Sequence, residues 1–285
     1  MRPISNVRTP EELKPIALAQ LFARVAVEAG AVVMDVYSHD FTLRAKADQS
    51  PVCDADERSE ALIISRLKDF VPDVPVVAEE SVARGLVPDL GPLVILVDPL
   101  DGTREFAKRN GEFTINIALV RDGVPSTAVV YAPARGRLWV AADQAYACDV
   151  APGSPAPPVE RMQPIRARQL GARTPVAIAS RSHRNAETER LLERLRVSEL
   201  QEAGSALKFC LIAEGQADIC PRIGTTMEWD IAAGDAVLRA AGGVVTGLDG
   251  EPLLYGRRDK GFACPDFVAF GDPSAVDRLA VAARS

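Results

Sequence analysis

The chain is 285 residues long, 47% apolar and 25% charged, with a formal net charge of −6. That composition is globular, and the length gives room for one large core or two modest ones, with two domains favoured. The negative charge argues against broad nucleic-acid binding, so an anionic ligand must be held by local cations or by metal.

The N-terminus, Met1-Arg2-Pro3-Ile4-Ser5, lacks the hydrophobic core of an export signal, and a cytoplasmic location is the expectation. No apolar stretch is expected to approach the roughly 20 residues of a membrane span, so no integral membrane segment is predicted, although association with a membrane surface stays open. From Leu18 the apolar positions Leu18, Phe22, Val25, Ala29, Val32 and Val36 step by three and four and predict a long amphipathic helix ending near Tyr37-Ser38. A polar stretch from Leu43 to Asp56 follows, then a helix whose Leu62, Ile63, Leu67 and Phe70 share a face. Asp54 and Asp56 stand at its start, where the plain reading of a carboxylate is N-terminal capping. Val74 to Ala78 reads as a short strand delivering Glu79-Glu80 at its end.

Val94 to Val97 is an apolar run bounded by Gly91-Pro92 and Asp98-Pro99, the pattern of a buried strand that stops abruptly. A tight turn at Pro99 is expected to bring Asp98 and Asp101 onto one side. Converging carboxylates repel unless a cation lies between them, so hard divalent ions are the natural occupant, with the Leu100 carbonyl as a further oxygen. Gly102 allows close backbone approach, and Thr103 is placed to cap a following helix and to offer a hydroxyl. An ordinary Asx turn between strand and helix is the plainer alternative.

Phe113 to Val120, Ala128 to Tyr131 and Arg137 to Ala141 predict an antiparallel meander, and the proline-rich segment from Ala151 to Pro164 suggests a domain boundary beside it. The second half alternates strand and helix: Val176 to Ala179, Glu187 to Leu195, a strand near Leu200, Ser205 to Glu214, Ala217 to Cys220, a helix from Trp229-Asp230, a strand at Val244-Val245 and a terminal helix. That rhythm implies a parallel or mixed sheet. The cysteines Cys53, Cys148, Cys210, Cys220 and Cys264 are scattered and odd in number, which favours neither a disulfide framework nor a zinc site. With only His39 and His183, histidine-based metal or triad chemistry is poorly supplied. Asp56, Glu79-Glu80, Asp98, Asp101 and Asp230 thus form a set of acids at element ends, enough oxygen for two or more Mg2+ ions in a phosphatase site. Singly, Asp230 reads as a helix cap and Trp229 as core.

The run Asp98-Pro99-Leu100-Asp101-Gly102-Thr103, with Glu79-Glu80 before it and Trp229-Asp230-Ile231-Ala232-Ala233-Gly234 after it, resembles the metal signature of the inositol monophosphatase superfamily of Mg2+-dependent, lithium-sensitive phosphatases. Lys108-Arg109-Asn110-Gly111-Glu112-Phe113-Thr114 resembles more narrowly the CysQ branch, the bacterial 3'(2'),5'-bisphosphate nucleotidases. So do Lys46-Ala47-Asp48-Gln49-Ser50-Pro51-Val52, Ser180-Arg181-Ser182-His183, Gly204-Ser205-Ala206-Leu207-Lys208-Phe209-Cys210 and Ala213-Glu214-Gly215-Gln216. The resemblance implies an α/β (α+β) fold, a layered αβαβα sandwich of two domains, 1–158 and 159–285, with the site in the cleft between them. It implies that Glu79, Asp98 and the Leu100 carbonyl hold one Mg2+ and that Asp98, Asp101 and Asp230 hold a second, in a centre of two or three ions. Asp56 and Thr103 are implied as the pair that orients and deprotonates water, with Glu79 also touching it. Gly102, Thr103, Ser180, Arg181, His183, Ser205, Lys208, Arg222 and Asp230 are the implied substrate contacts. Two departures stand out. Cys53 occupies a position where relatives usually carry threonine, which leaves Asp54 a rival to Asp56, and Ala206 replaces a second serine.

The implied reaction is removal of the 3'-phosphate from adenosine 3',5'-bisphosphate, giving AMP and phosphate and clearing a by-product of sulfate assimilation. An inositol or sugar phosphatase is the alternative within enzymes, and a nucleotide-sensing protein without catalysis is the alternative outside them. Lys208, between Leu207 and Phe209, is the first choice for holding the phosphate that is not cleaved; Arg104, Lys108 and Arg109 are further cations of the first half.

Overall fold

The computed structural model describes residues 14–45, 51–182 and 184–276. Helix α1 (Pro15–Ser38) begins at a proline, whose fixed φ suits a first turn. It buries Leu18, Phe22, Val25, Ala29, Val33 and Val36, so Val33 takes the inward position expected of Val32. Its central window has a mean hydropathy of 1.7, long and apolar enough to cross a membrane by composition alone. This corrects the expectation that no stretch approaches that length. Here 61% of the window is buried inside the protein, against α2 and the sheet, as in a core helix. The short strands β1 (Arg44–Ala45) and β2 (Pro51–Val52) pair antiparallel, and α2 (Asp54–Phe70) packs beside α1.

A seven-stranded sheet follows in chain order: β3 (Val76–Ala78), β4 (Leu93–Asp101), β5 (Thr114–Arg121), β6 (Val124–Ala132), β7 (Arg137–Ala141), β8 (Ala145–Asp149) and β9 (Gln163–Pro164). Only β3 and β4 pair in parallel; the rest is the expected antiparallel meander, extended by β8 and β9. Helix α3 (Glu79–Ala83) follows β3, and α4 (Thr103–Ala107) follows β4. The proline-rich segment is strapped onto α1, where Gln20 bonds the Pro157 carbonyl and the Val159 N–H.

In the second half, β10 (Val176–Ser180), α5 (Ala186–Arg194), β11 (Glu199–Ala203), α6 (Leu207–Ala213), β12 (Ile219–Arg222), α7 (Glu228–Ala240), β13 (Val244–Gly247) and β14 (Phe267–Phe270) build a mixed sheet of order β11-β10-β12-β14-β13. Strand β14 has no counterpart among the elements predicted from sequence, and the expected terminal helix extends outside the described residues.

Alternation along the central strands explains the layering. Ile95, Val97, Ile117, Leu119, Val129 and Tyr131 face α1 and α2. Val94, Leu96, Ala118, Val120 and Val130 face the other way, onto α6 and α7, whose remaining surface meets Ile178, Val245 and Phe267 of the second sheet. Leu191 and Leu192 of α5 cover that sheet's far face with Val268 and Phe270. The order is therefore helix, sheet, helix, sheet, helix, the αβαβα arrangement expected. Because β4 is covered on both faces, it reads as an unbroken apolar run rather than an alternating one.

Candidate active site

Strand β4 does not stop at Asp98. It continues to Asp101, with Asp98 opposite Asn116, Asp101 opposite Thr114 and a register shift between them. This replaces the expected tight turn with a bulge. In an even strand, residues three apart face opposite sides; absorbing one extra residue restores the parity, so both acids are presented alike. Pro99 fits there because a bulge leaves its missing N–H unneeded, and its carbonyl accepts from Ser59 Oγ at 2.9 Å. The Leu100 N–H donates to Asp98 Oδ1 at 3.0 Å.

Gly102 has φ +94, and a Cβ there would come within 3.1 Å of the Glu112 carbonyl, so glycine is required both by conformation and by space. It precedes α4 as its cap residue; Thr103 is the first helical residue and makes no side-chain cap. The Thr103 hydroxyl instead donates to Asp56 Oδ1 at 3.2 Å and lies 3.4 Å from the Leu100 carbonyl. Asp56, the third residue of α2, accepts the Cys53 N–H at 2.9 Å and the Cys53 thiol at 3.1 Å, both on Oδ2. Capping and site geometry therefore share one side chain, an oxygen each. Burial, reinforced by Asp56, pushes the Cys53 thiol up to about 12, so it remains a protonated donor. The rival Asp54 is exposed and pairs with Arg44 at 3.1 Å.

Asp230 repeats the arrangement on α7: at the third helical position it accepts the Met227 N–H at 2.9 Å and the Thr226 hydroxyl at 2.8 Å. Glu79 opens α3 and lines the cleft. Its neighbour Glu80 is buried, its N–H donating to Glu60 at 2.7 Å. Glu79, Asp101, Gly102, Thr103 and Asp230 line one cleft together; Asp56, Asp98 and Leu100 are buried beside it.

The carboxyls feel one another. Asp98 is pushed well above the usual range by burial and by Glu79, Asp101 and Asp230. Burial also raises Asp101, against the pull of Lys208, Ser205 and Ala206. Asp230 rises to about 7 through burial, Asp101 and Glu79. Among the described residues no three acid, His or Cys side chains are drawn into a closed cage; the acids instead stand around the cleft within electrostatic reach. The set is negative and all oxygen, which suits a hard cation such as Mg2+, bound with water and substrate oxygens completing its shell.

Ser180, Gly204, Ser205, Lys208 and Arg222 line the same cleft, as does Arg104. Lys208 Nζ donates to the Ser205 carbonyl at 2.5 Å, and Arg222 donates to the Thr225 carbonyl at 2.8 Å. Arg181 is engaged elsewhere, with Glu112 at 3.2 Å and Glu202 at 3.3 Å. Arg109 donates to the Tyr37 and His39 carbonyls. His183 and Lys46 to Ser50 fall outside the described residues. Sequence reasoning missed Thr226, Thr114 and Asn116, neutral residues with no local pattern, and Glu112, which joins the two halves through Arg181 and the Gly204 N–H.

Residues 17–281 match the model of the inositol monophosphatase family. The chain belongs to the inositol monophosphatase family. Within it, the chain is 43% identical to the 3'(2'),5'-bisphosphate nucleotidase CysQ of Escherichia coli strain K12 over 249 residues, covering 86% of this chain and 96% of that one. The protein of the same name from Haemophilus influenzae is 29% identical, covering 88% and 91%. Among solved structures, CysQ from Bacteroides thetaiotaomicron superposes with a TM-score of 0.75 at 36% identity, covering 89% of this chain and 97% of that one. An inositol monophosphatase from Anabaena gives 0.70 at 25% identity, covering 93% and 94%.

Proposed function

We propose that this family member is a Mg2+-dependent 3'(2'),5'-bisphosphate nucleotidase that hydrolyses the 3'-phosphate of adenosine 3',5'-bisphosphate to AMP and phosphate. The observation that carries the reading is the 43% identity along almost the whole of a bisphosphate nucleotidase, against 25% to the inositol monophosphatase from Anabaena. Glu79, Asp98 and the Leu100 carbonyl would hold one Mg2+, and Asp98, Asp101 and Asp230 a second, within a centre of two or three ions. Bound there, Mg2+ would acidify a water and neutralise phosphate oxygens.

The residues' own work follows from their contacts. Asp56 Oδ1 accepts from Thr103 at 3.2 Å, so the threonine oxygen has a lone pair free to accept from a water while its own proton is held. Asp56 would then be the proton acceptor one hydroxyl away, and Glu79, which lines the same cleft, would also touch the water. The N–H groups of Gly102 and Thr103 would hold the phosphoryl group in line. We further take residues 1–158 and 159–285 as the two domains and the cytoplasm as the location.

Phosphate release in Mg2+ across a panel of adenosine 3',5'-bisphosphate, its 5'-phosphosulfate, inositol 1-phosphate and a sugar phosphate tests the reading. The bisphosphate should give the highest kcat/KM. A preference for inositol 1-phosphate would overturn the nucleotidase reading, and no release from any member would overturn catalysis itself.

A further inference from the structure

The turn Gly204-Ser205-Ala206 enters from the second half and lies unusually close to the first. A Cβ on Gly204 would come 2.7 Å from the Glu112 carbonyl and 2.9 Å from Glu105 Cγ, so the approach needs glycine there. The Gly204 N–H donates to Glu112 Oε2 at 3.0 Å. Ser205 sits at φ +55, a left-handed conformation that costs a serine energy and persists only where surroundings impose it. What that conformation achieves is specific: Ser205 Oγ donates to Asp101 Oδ2 at 2.6 Å, and the Ala206 N–H also bonds Asp101.

Behind Ser205 stands a second hydroxyl. Thr114 Oγ1 lies 2.5 Å from Ser205 Oγ and 2.8 Å from Asn116 Oδ1. An ionised carboxylate only accepts, so the single hydroxyl proton of Ser205 goes to Asp101, and the one Thr114 proton is shared between Ser205 Oγ and Asn116 Oδ1. The strand register supplies the geometry, since Thr114 is the β5 partner of Asp101 and Asn116 that of Asp98. Lys208 donates to the Ser205 carbonyl, fixing the turn from its other side.

We propose that Ser205, backed by Thr114, is a positioning residue: it ties down one oxygen of Asp101 so that the other is aimed at the cation, and it makes that aim depend on the second half being seated on the first. This rests on the metal-site reading above but not on the choice of substrate. It also gives Ser205 a different task from the substrate contact implied by resemblance, because the one proton it can donate is committed to Asp101.

The test is direct binding of Mn2+, a spectroscopically visible substitute for Mg2+, measured by titration without substrate, alongside the Mg2+ midpoint for phosphate release and circular dichroism to verify folding. Ser205→Ala and Ser205→Gly should each weaken Mn2+ binding about tenfold or more, the usual range when a partner behind a metal ligand is lost. Glycine relieves the left-handed strain and alanine does not, so equal losses identify the hydroxyl. Thr114→Val should weaken binding in the same sense, and Thr114→Ser should restore it. Parent-like Mn2+ affinity in both Ser205 variants, with a raised KM for substrate, would overturn the proposal and return Ser205 to substrate binding. A loss in Ser205→Ala alone would likewise overturn it, in favour of backbone conformation. A parent protein that binds no Mn2+ would instead overturn the metal-site reading on which the proposal rests.

Discussion

At the scale of single residues, the acids set function against stability. Asp98 is buried and Asp101 and Asp230 are half-buried; all three are held above their ordinary range, and each unit of such a shift represents stability withheld from the ionised form. Asp230 rises from 3.8 to about 7. Its contribution is therefore intact below the unfolded value and is lost as pH climbs through the folded one. Thermal melts in EDTA should show stability falling between about pH 4 and about pH 7, and saturating Mg2+ should recover it by binding only the folded state. A flat profile in EDTA would contradict the clustering. Asp98→Asn should raise the melting temperature in EDTA, remove most of the Mg2+ increment and abolish turnover; an active variant would remove Asp98 from the metal site. The neighbouring aspartates of α2 separate in the same way. Asp56 is buried between Cys53 and Thr103, whereas Asp54 is exposed on Arg44. Asp56→Asn should cut kcat about a hundredfold or more, as expected for a general base, while Asp54→Asn should change it less than twofold, an exposed pair being worth little. Reversed phenotypes in steady-state kinetics would show that the catalytic aspartate had been misassigned.

At the scale of elements, long periodic segments were the most legible part of the sequence: α1, α2 and α7 and strands β5 to β7 stand close to where periodicity and turn residues put them. What escaped depended on partners far away in the chain. The bulge in β4 cannot be seen locally, because only the pairing with Thr114 and Asn116 reveals the extra residue. Strand β8, Ala-Tyr-Ala-Cys-Asp, has few β-formers, and β9 ends in a proline that only an edge position tolerates. The acids of the site are legible because they sit at element ends, as are Thr103 and Ser205 within their motifs; the neutral Thr114, Asn116 and Thr226 are not, having no pattern of their own. Gly234 gives a quantitative test of packing against local preference. In mid-helix, alanine would ordinarily gain about 1 kcal/mol over glycine. Here the added Cβ would lie 2.6 Å from the Phe209 ring, whose stacking partner Phe267 limits its escape, and overpacking of a core costs about 1–3 kcal/mol. Gly234→Ala should therefore lower the denaturation midpoint at unchanged m-value. A rise would mean that α6 yields more readily than its packing indicates.

At the scale of the whole molecule, the proposed function would have a chain of net charge −6 bring its cleft acids into contact with a substrate class that is itself strongly anionic. One phosphate can meet the metals. The other, dianionic near neutral pH, needs a cation of its own. Lys208 is the choice from sequence, but its ammonium lies on the Ser205 carbonyl and draws on Asp101, among the acids proposed to hold metal and thus near the phosphate that would be cleaved. Arg181 is held by Glu112 and Glu202. Arg222 ends β12 on the second-half wall of the cleft and donates to a neighbouring backbone carbonyl, an arrangement that steadies the guanidinium while leaving further N–H groups to offer. The two cations should therefore be told apart by substrate. Arg222→Ala is expected to raise KM for adenosine 3',5'-bisphosphate about ten- to a hundredfold, the value of a charge-assisted contact, with little effect on adenosine 3'-monophosphate, which has no second phosphate to lose. Lys208→Ala is expected to impair both substrates alike. The comparison works because the monophosphate keeps the reacting centre and the adenosine and deletes only the remote charge, so any difference between the variants reads out where that charge is held. Equal losses on both substrates in Arg222→Ala would place the remote phosphate elsewhere, and Arg104, the remaining cation of the cleft wall, would be the next to substitute.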